Sequence, residues 1–249
     1  MLIALVTWSG LPDLADDDRL LLDLLPARAV VWDDPSIDWN AFDAIVLRST
    51  WDYHTRIDEF VAWIDRVEAC GAKLWNPPAL LRWNTHKRYL LDLAARGVNV
   101  VPTLLASRVV IKPAVSATAY RTSILDPFEQ EMLVQPFIEE VVTSGEWSLV
   151  FFRGAFSHAV IKRAKSGDFR VQHDFGGTWE PAQPDTALIA DAQTILQTIE
   201  EPWLYARVDG VVRGGRLLLM ELEMTEPSLF LDAQSAKRFA EAIARVCQP

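Results

Sequence analysis

Residues 206–228 read ARVDGVVRGGRLLLMELEMTEPS, in which two apolar runs flank an Arg-Gly-Gly turn at 213–215. This pattern predicts a β-hairpin whose first strand carries Asp209 and whose second strand carries Glu221 and Glu223. Residues two apart in a strand lie on the same face, so Glu221 and Glu223 point the same way. Three carboxylates on adjacent apolar strands are costly to bury unless a positive charge lies between them.

The hairpin therefore predicts a metal–nucleotide site, because Mg²⁺ is held by carboxylate oxygens together with substrate phosphates. The plain alternative is an edge hairpin with a solvated acidic face, since alternating apolar and acidic residues are common on half-exposed strands. If other segments of the chain also carry residues typical of a nucleotide site, the metal site is favoured over the solvated hairpin.

The composition sets broad limits on the class of protein. With 249 residues, 50% of them hydrophobic, the chain can bury a large core in one to three subdomains. The net charge of −10 disfavours binding to nucleic acid. Two cysteines without metal-ligand spacing indicate a reducing, cytoplasmic compartment. We expect no signal peptide and no membrane contact, because the N-terminus lacks a basic leader and no apolar stretch is long enough to span a bilayer.

The first 76 residues alternate between strand and helix patterns. Strands are predicted at 2–7, 30–32, 44–47 and 73–75, and helices at 16–25 and 56–70. This alternation predicts a small open parallel α/β unit, in which ligands bind at the carboxyl ends of the strands. Residues 48–53 follow such an end, and their cation and rings suit a small amino-acid-like acid.

The middle of the chain contains two lysines that suit phosphate binding. Lys112 ends a strand predicted at 109–113, where a phosphate-binding lysine and a snorkelling edge lysine are both reasonable. Lys87 lies in a helix predicted at 84–96 with Asn84 as its cap, where a solvated helical charge is the simpler interpretation. The hydroxyl-rich loop 116–120 suits backbone contact with phosphates. The joins near 106/107 and 122/123 lack turn residues, so we hypothesise that lid segments are missing there.

A strand predicted at 132–138 leaves into the connector Gln135-Pro136-Phe137-Ile138. Backbone groups freed at a strand exit can read an adenine edge, with apolar side chains around the ring and Glu146 on the ribose. The alternative is an ordinary strand exit with an acidic loop. Lys162 and Arg170 could stabilise charge on a transferred phosphoryl group, or they could pair with surface acids.

Taken together and in this order, these short motifs resemble the ATP-grasp superfamily, and within it the glutathione-synthetase-like branch. The motifs that carry the resemblance are Arg48–Tyr53, Asn76-Pro77 with Asn84 and Lys87, Val110–Pro113, Val134–Phe137, Gly145-Glu146, Asp168–Gln172, Phe175–Gly177, Arg207–Gly210 and Glu221–Ser228.

The resemblance implies an α/β (α+β) ATP-grasp fold with an N-terminal open parallel α/β domain. The implied divisions are a pre-ATP-grasp Rossmann-like domain at 1–76, a lid subdomain with a linker helix at 77–135, and a C-terminal subdomain with the metal site at 136–249. Dimers are common among such proteins, which leaves a homodimer open.

The resemblance also implies a role for each site residue. For the nucleotide, the implied roles are phosphate contact for Lys87 and Lys112, adenine contact for Gln135, Pro136, Phe137 and Ile138, and ribose contact for Glu146. The implied Mg²⁺ ligands are Asp209, Glu221 and Glu223. The resemblance further implies that Arg170 and Lys162 stabilise the acyl phosphate, and that the substrate is contacted by Arg48, Ser49, Trp51 and Tyr53. Two positions depart from the family pattern. Glu223 stands where the family often has Asn, and Ser148 stands where glutathione synthetases carry an arginine, which argues against the same dipeptide substrate.

The implied activity is an ATP- and Mg²⁺-dependent carboxylate–amine ligase that acts on a small amino-acid-like carboxylate through an acyl phosphate. Two alternatives remain at this stage: a small-molecule kinase and a non-catalytic ATP-binding module. The acidic set Asp209, Glu221 and Glu223 favours an enzyme, because a module without catalysis has no need of buried-face acids.

Overall fold

The computed structural model describes residues 1–115, 118, 121–125, 131–171 and 175–247. The N-terminal part is a four-stranded parallel sheet in the order β2-β1-β3-β4, which confirms the predicted open α/β unit. Its strands are β1 (Ile3–Thr7), β2 (Ala27–Val31), β3 (Ala44–Ser49) and β4 (Leu74–Trp75). The central strands β1 and β3 are buried along their whole length, as apolar runs covered on both faces should be.

The helices of this half depart from the sequence prediction in two places. They are α1 (Asp16–Arg19), α2 (Ile57–Ala69), α3 (Pro78–Asn84) and α4 (Tyr89–Ala95). The helix predicted at 16–25 ends at Arg19, because most of the following hydrogen bonds span three residues instead of four. The single helix predicted at 84–96 is wrong. Pro78 begins α3 at a position that suits proline, Asn84 ends α3 instead of capping a helix, and Lys87 lies in the turn before α4.

Two small antiparallel sheets follow. Strands β5 (Leu104–Ala106) and β8 (Met132–Val134) pair with each other, as do β6 (Val109–Ile111) and β7 (Ser123–Leu125). Ordinary strand ends therefore lie at the joins 106/107 and 122/123. Most of the hydroxyl-rich loop, residues 116, 117, 119 and 120, lies outside the described residues.

The C-terminal part is a five-stranded antiparallel sheet in the order β11-β10-β9-β12-β13. Its strands are β9 (Glu146–Phe152), β10 (Ala155–Arg163), β11 (Thr178–Ala182), β12 (Tyr205–Arg213) and β13 (Arg216–Glu223), and its helices are α5 (Glu139–Thr143), α6 (Thr186–Leu196) and α7 (Ala233–Val246). Residues 168–171 have no regular secondary structure. No helix among the described residues is long and apolar enough to cross a membrane.

One hydrophobic core joins the two large sheets. Leu5 and Val46 of the parallel sheet belong to the same buried cluster as Val150, Phe152 and Phe239 of the C-terminal part. Helix α7 completes this cluster, and Asp232 caps the helix by accepting the backbone N–H groups of its first turn. The shared core fixes the carboxyl ends of the parallel strands against the acidic hairpin.

Gly210 is required by the hairpin, because the β12–β13 register shifts between Asp209 and Gly210 and the backbones approach closely. A Cβ at Gly210 would lie 2.4 Å from the Leu218 carbonyl oxygen. We therefore expect Gly210→Ala to lower the free energy of unfolding by about 1–3 kcal/mol in urea titrations. Val212→Ala is the matched control, since this exposed residue of the same strand should cost less than about 0.5 kcal/mol. Equal losses in the two variants would contradict the argument.

Candidate active site

The predicted hairpin is confirmed as β12 and β13, and we call its acidic face with the following residues to 228 the carboxylate ribbon. Asp209 lies directly opposite Glu221 across the two strands, and Arg207 lies opposite Glu223. One carboxylate oxygen from each of Asp209, Glu221 and Glu223 lies within 4.8 Å of the others. Asp209 is fully buried, whereas the side chains of Glu221 and Glu223 keep about a quarter of their surface exposed.

Arg207 is a component of the site that sequence reasoning missed. Its guanidinium donates to both oxygens of Asp209, and its Nη2 also donates to Glu223 Oε1 at 2.7 Å. Its Nη1 donates to the Ser228 carbonyl oxygen at 2.9 Å, which fixes the chain where it leaves the ribbon. The available signal was its position two residues before Asp209, because that spacing places both side chains on one face.

Lys162 enters the site from β10. Its ammonium lies 3.1 Å from Asp209 Oδ2 and 2.5 Å from Glu146 Oε1, and all three side chains are largely buried. Burial alone would raise the pKa of Asp209, but Arg207 and Lys162 outweigh it and hold that pKa below its usual value. Glu146, expected at the ribose, is thus engaged by Lys162 in this conformation.

The ribbon is short of positive charge despite these two cations. Burial and the facing carboxylates raise the pKa of Glu223 to about 8, although Arg207 opposes the shift. Burial and Glu221 likewise raise the pKa of Glu226 to about 7. Several carboxylate oxygens that converge without enough neutralising charge form a donor set of the kind that hard divalent cations take. The residues present therefore fit a magnesium ion.

A cleft of about 290 Å³ opens beside the ribbon. It is lined by Tyr53 and His54 from the N-terminal part, by Asn84, Thr85, Lys87 and Tyr89 around α3 and α4, and by Glu221, Leu222, Glu223, Thr225 and Glu226. The Lys87 ammonium pairs with the Glu221 carboxylate. Asn84 anchors the preceding helix to the ribbon, because its side-chain amide donates to the Leu222 carbonyl oxygen and accepts from the Met224 N–H. This anchor places Lys87 within reach of Glu221.

Arg48 and Ser49 do not line this cleft. Neither side chain has exposed surface, and both bond the buried carboxylate of Asp18. Arg48 Nη2 also donates to the Pro227 carbonyl oxygen at 2.8 Å, so this arginine joins the parallel sheet to the ribbon. The expected substrate contact through Arg48 and Ser49 therefore needs correction, because both side chains lie outside the cleft and are turned to Asp18. Trp51 is partly exposed, and its Nε1 lies 3.3 Å from the Glu226 carbonyl oxygen.

The remaining predicted residues lie in the connector and on exposed segments. Gln135 Nε2 donates to Thr103 Oγ1, Pro136 is exposed and Ile138 is buried. Phe137 is exposed and packs edge-on against Phe169, which gives an aromatic pair at the strand exit. Lys112 is exposed after β6, and Arg170 pairs with Asp168 at 2.7 Å, so neither extends the ribbon network.

Comparison with known proteins places this geometry in a family. The domain family described as the N-terminal domain of D-cycloserine synthetase DcsG matches residues 3–76. The cycloserine biosynthesis protein DcsG of Streptomyces lavendulae is 32% identical over 275 residues, covering 90% of this chain and 90% of that protein. The crystal structure of D-cycloserine synthetase DcsG has a TM-score of 0.80 at 28% identity and covers 100% of both chains.

More distant relatives define the wider class. The glutathione synthetase of Prochlorococcus marinus (strain MIT 9313) is 26% identical over 205 residues, covering 70% of this chain and 63% of that protein. Solved ATP-grasp proteins share the fold at TM-scores of 0.59–0.65 and 12–16% identity over 97–99% of this chain. The fold is thus that of the ATP-grasp enzymes, which are ATP-dependent ligases that form C–N bonds. Within them, the chain belongs to the family of the D-cycloserine synthetase DcsG.

Proposed function

We propose that the protein is an ATP- and Mg²⁺-dependent carboxylate–amine ligase that acts on a small amino-acid-like carboxylate through an acyl phosphate. The observation that carries this proposal is the convergence of Asp209, Glu221 and Glu223 within 4.8 Å, beside a cleft that also holds Lys87. Membership of a ligase family favours ligation over the kinase and the non-catalytic module.

Asp209, Glu221 and Glu223 are the residues that would hold the magnesium. When bound, it would neutralise phosphate charge that the protein cations alone cannot balance. Arg207 and Lys162 keep Asp209 ionised and oriented, so this ligand is preorganised. Lys87 is free to turn from Glu221 toward a phosphate once that carboxylate has another cation beside it.

The nucleotide would lie between the lid strands and the ribbon. We propose that Lys87 and Lys112 contact its phosphates and that the connector Gln135–Ile138 reads the adenine edge, with Phe137 against the ring. The exposed Phe137–Phe169 pair supports this placement, since it offers exposed aromatic surface at a strand exit. Glu146 would take the ribose hydroxyls after Lys162 releases it.

The reaction is a phosphoryl transfer followed by an acyl transfer. A substrate carboxylate oxygen attacks the γ-phosphorus of ATP and ADP leaves, which gives the acyl phosphate. An amine then attacks the acyl carbon, phosphate leaves, and the amine proton passes to solvent. Lys162 and Arg170 would stabilise the charge that develops, so the protein contributes position and electrostatics more than covalent chemistry. Tyr53 and Trp51 are the proposed substrate contacts from the N-terminal part.

The names of the relatives indicate which class of substrate should be tested first. A protein of cycloserine biosynthesis suggests ring closure, in which the amine belongs to the same molecule as the carboxylate. The resemblance of the sequence motifs to such a ligase implies the closure of O-ureidoserine as the first reaction to try. We propose domain boundaries near 76 and 135, because the parallel sheet ends at Trp75 and the lid strands end at Val134. A cytoplasmic location and a homodimer stay predictions.

Product analysis tests the proposal directly. The protein is incubated with ATP, Mg²⁺ and either O-ureidoserine or one of the standard amino acids, and phosphate release and product mass are measured together. A ligase yields an amide and free phosphate in step with ADP. A phosphorylated product would favour the kinase, and nucleotide binding without turnover under any substrate would favour the module.

Lys112→Ala is expected to lower kcat by about 10²-fold while the fold remains intact, because it removes a point charge at the phosphates. The matched control is Lys237→Ala, which removes an exposed lysine from α7 and should leave turnover unchanged. Normal turnover in Lys112→Ala would remove this lysine from the site.

A further inference from the structure

A second and larger cleft, of about 480 Å³, lies away from the carboxylate ribbon. It opens around the β9–β10 turn, Arg153-Gly154, and is walled by Trp75 and Trp203. Strand β9 runs from Glu146 at the catalytic end to Phe152 at this turn, which at the usual rise per residue separates the two sites by about 20 Å. The reaction proposed above makes no use of this cleft.

The walls of the second cleft are held in place before any ligand arrives. Asn76, next to Trp75, donates to the Tyr205 and Met224 carbonyl oxygens and accepts from the Leu204 N–H. These bonds fix Trp75 at the junction between the parallel sheet and the C-terminal part. Preformed apolar clefts with a few polar groups at a domain junction are where small molecules commonly bind.

Arg153 occupies an unusual backbone position. The φ angles of Arg153 and Gly154 are +49° and +85°, the pattern of a tight hairpin turn in which Asn, Asp or Gly is favoured at the first place. A long side chain there is disfavoured sterically, and such outliers concentrate at functional sites. The turn aligns the arginine with the cleft that it lines.

Opposite charges line this cleft without meeting. Arg153 and Glu201 both border it and both are exposed, yet neither side chain makes an ion pair or hydrogen bond with any described residue. The amides of Gln193 and Gln197 line the same cleft. A cation and an anion that both line an aromatic-walled cleft match a ligand that carries both charges and an apolar group.

We propose that this second cleft binds a free α-amino acid with an aromatic or large apolar side chain. The ligand carboxylate pairs with the Arg153 guanidinium, its ammonium pairs with Glu201, and its side chain packs against Trp203 and Trp75. A guanidinium suits a carboxylate because its donors match the two oxygens. The proposal does not rest on the ligase activity, because binding here needs neither ATP nor metal.

Calorimetric titration of the whole protein, without nucleotide or Mg²⁺, tests the proposal with three matched probes. Phenylalanine, in both enantiomers, carries both charges; phenethylamine lacks the carboxylate; and 3-phenylpropionate lacks the ammonium. At least one phenylalanine enantiomer is expected to bind with a Kd below about 1 mM, with both analogues at least about tenfold weaker. Absence of phenylalanine binding up to about 10 mM, or equal binding of the analogues, overturns the proposal.

Variants of the lining residues test whether the measured heat of phenylalanine binding arises from this cleft. Arg153→Asn removes the cation but suits the turn, so it should weaken phenylalanine binding by about 10- to 100-fold without loss of thermal stability. Glu201→Gln should weaken it similarly. Arg66→Asn, which removes an exposed arginine from α2, and Glu221→Gln, which alters the catalytic cleft, should leave it unchanged. Unchanged binding in Arg153→Asn, or loss in Glu221→Gln, would contradict the assignment.

Discussion

Arg48→Met is expected to lower the free energy of unfolding by about 3–5 kcal/mol, more than any other substitution that we propose. Arg48 and Asp18 form an enclosed ion pair at 2.8 Å, with at most 3% of either side chain exposed. Removal of the guanidinium leaves a buried carboxylate to which, in the part of the chain that the structure describes, only the Ser49 side chain donates. The substitution also removes the bond to the Pro227 carbonyl and the packing of the guanidinium over Tyr205 and Phe239.

Urea unfolding of four variants separates these contributions. The set comprises Arg48→Met, Asp18→Asn, the double variant, and Arg82→Met as the control. Arg82 pairs with Asp65 and Glu68 on the surface, so its loss should cost less than about 1 kcal/mol. The double variant should lose less than the sum of the singles, because no charge is then buried alone. A loss in Arg48→Met no larger than in Arg82→Met would mean that the pair is not enclosed in solution.

The misplacement of Arg48 shows where sequence reasoning stops. A polar residue at the carboxyl end of a parallel strand is the usual sign of a ligand contact. Trp51 and Tyr53, which follow the same strand, do lie near the ribbon, and their contact with a substrate stays a prediction. The same pattern cannot tell an arginine that faces a ligand from one that pairs with a carboxylate thirty positions earlier in the chain. That choice depends on how α1 packs, which is a tertiary property.

Features set by local patterns were predictable. The strand–helix alternation gave the parallel sheet, and the Arg-Gly-Gly turn between apolar runs gave the hairpin with its three carboxylates. Contacts between distant segments were not predictable from spacing. Asn84 is a residue type that favours helix caps, but it instead anchors the ribbon by a hydrogen bond to Leu222, which lies 138 residues later in the chain. Glu146 and Lys162 likewise meet only because β9 and β10 pair in one register.

Glu221→Gln is expected to reduce ligase turnover by about 10³-fold at a fixed Mg²⁺ concentration, the largest catalytic loss that we expect. The amide keeps the size of the side chain but offers a neutral, weaker oxygen ligand to a hard cation. The fold should survive, because Glu221 is partly exposed and its one partner among the described residues is Lys87, itself half exposed. Circular dichroism and urea unfolding check the fold.

The Mg²⁺ dependence of phosphate release is the decisive measurement for Glu221→Gln. The variant should require a higher Mg²⁺ concentration for half-maximal rate, whereas Glu180→Gln, an exposed acid of β11, should match the unmodified protein. Glu223→Asn is informative beside it, because the resemblance to the ATP-grasp superfamily implies that Asn can serve at this place, and Asn retains one oxygen ligand. The smaller loss expected in Glu223→Asn would rank Glu221 as the stronger ligand. An unchanged Mg²⁺ dependence in Glu221→Gln would mean that the acidic ribbon serves the fold and does not hold the metal.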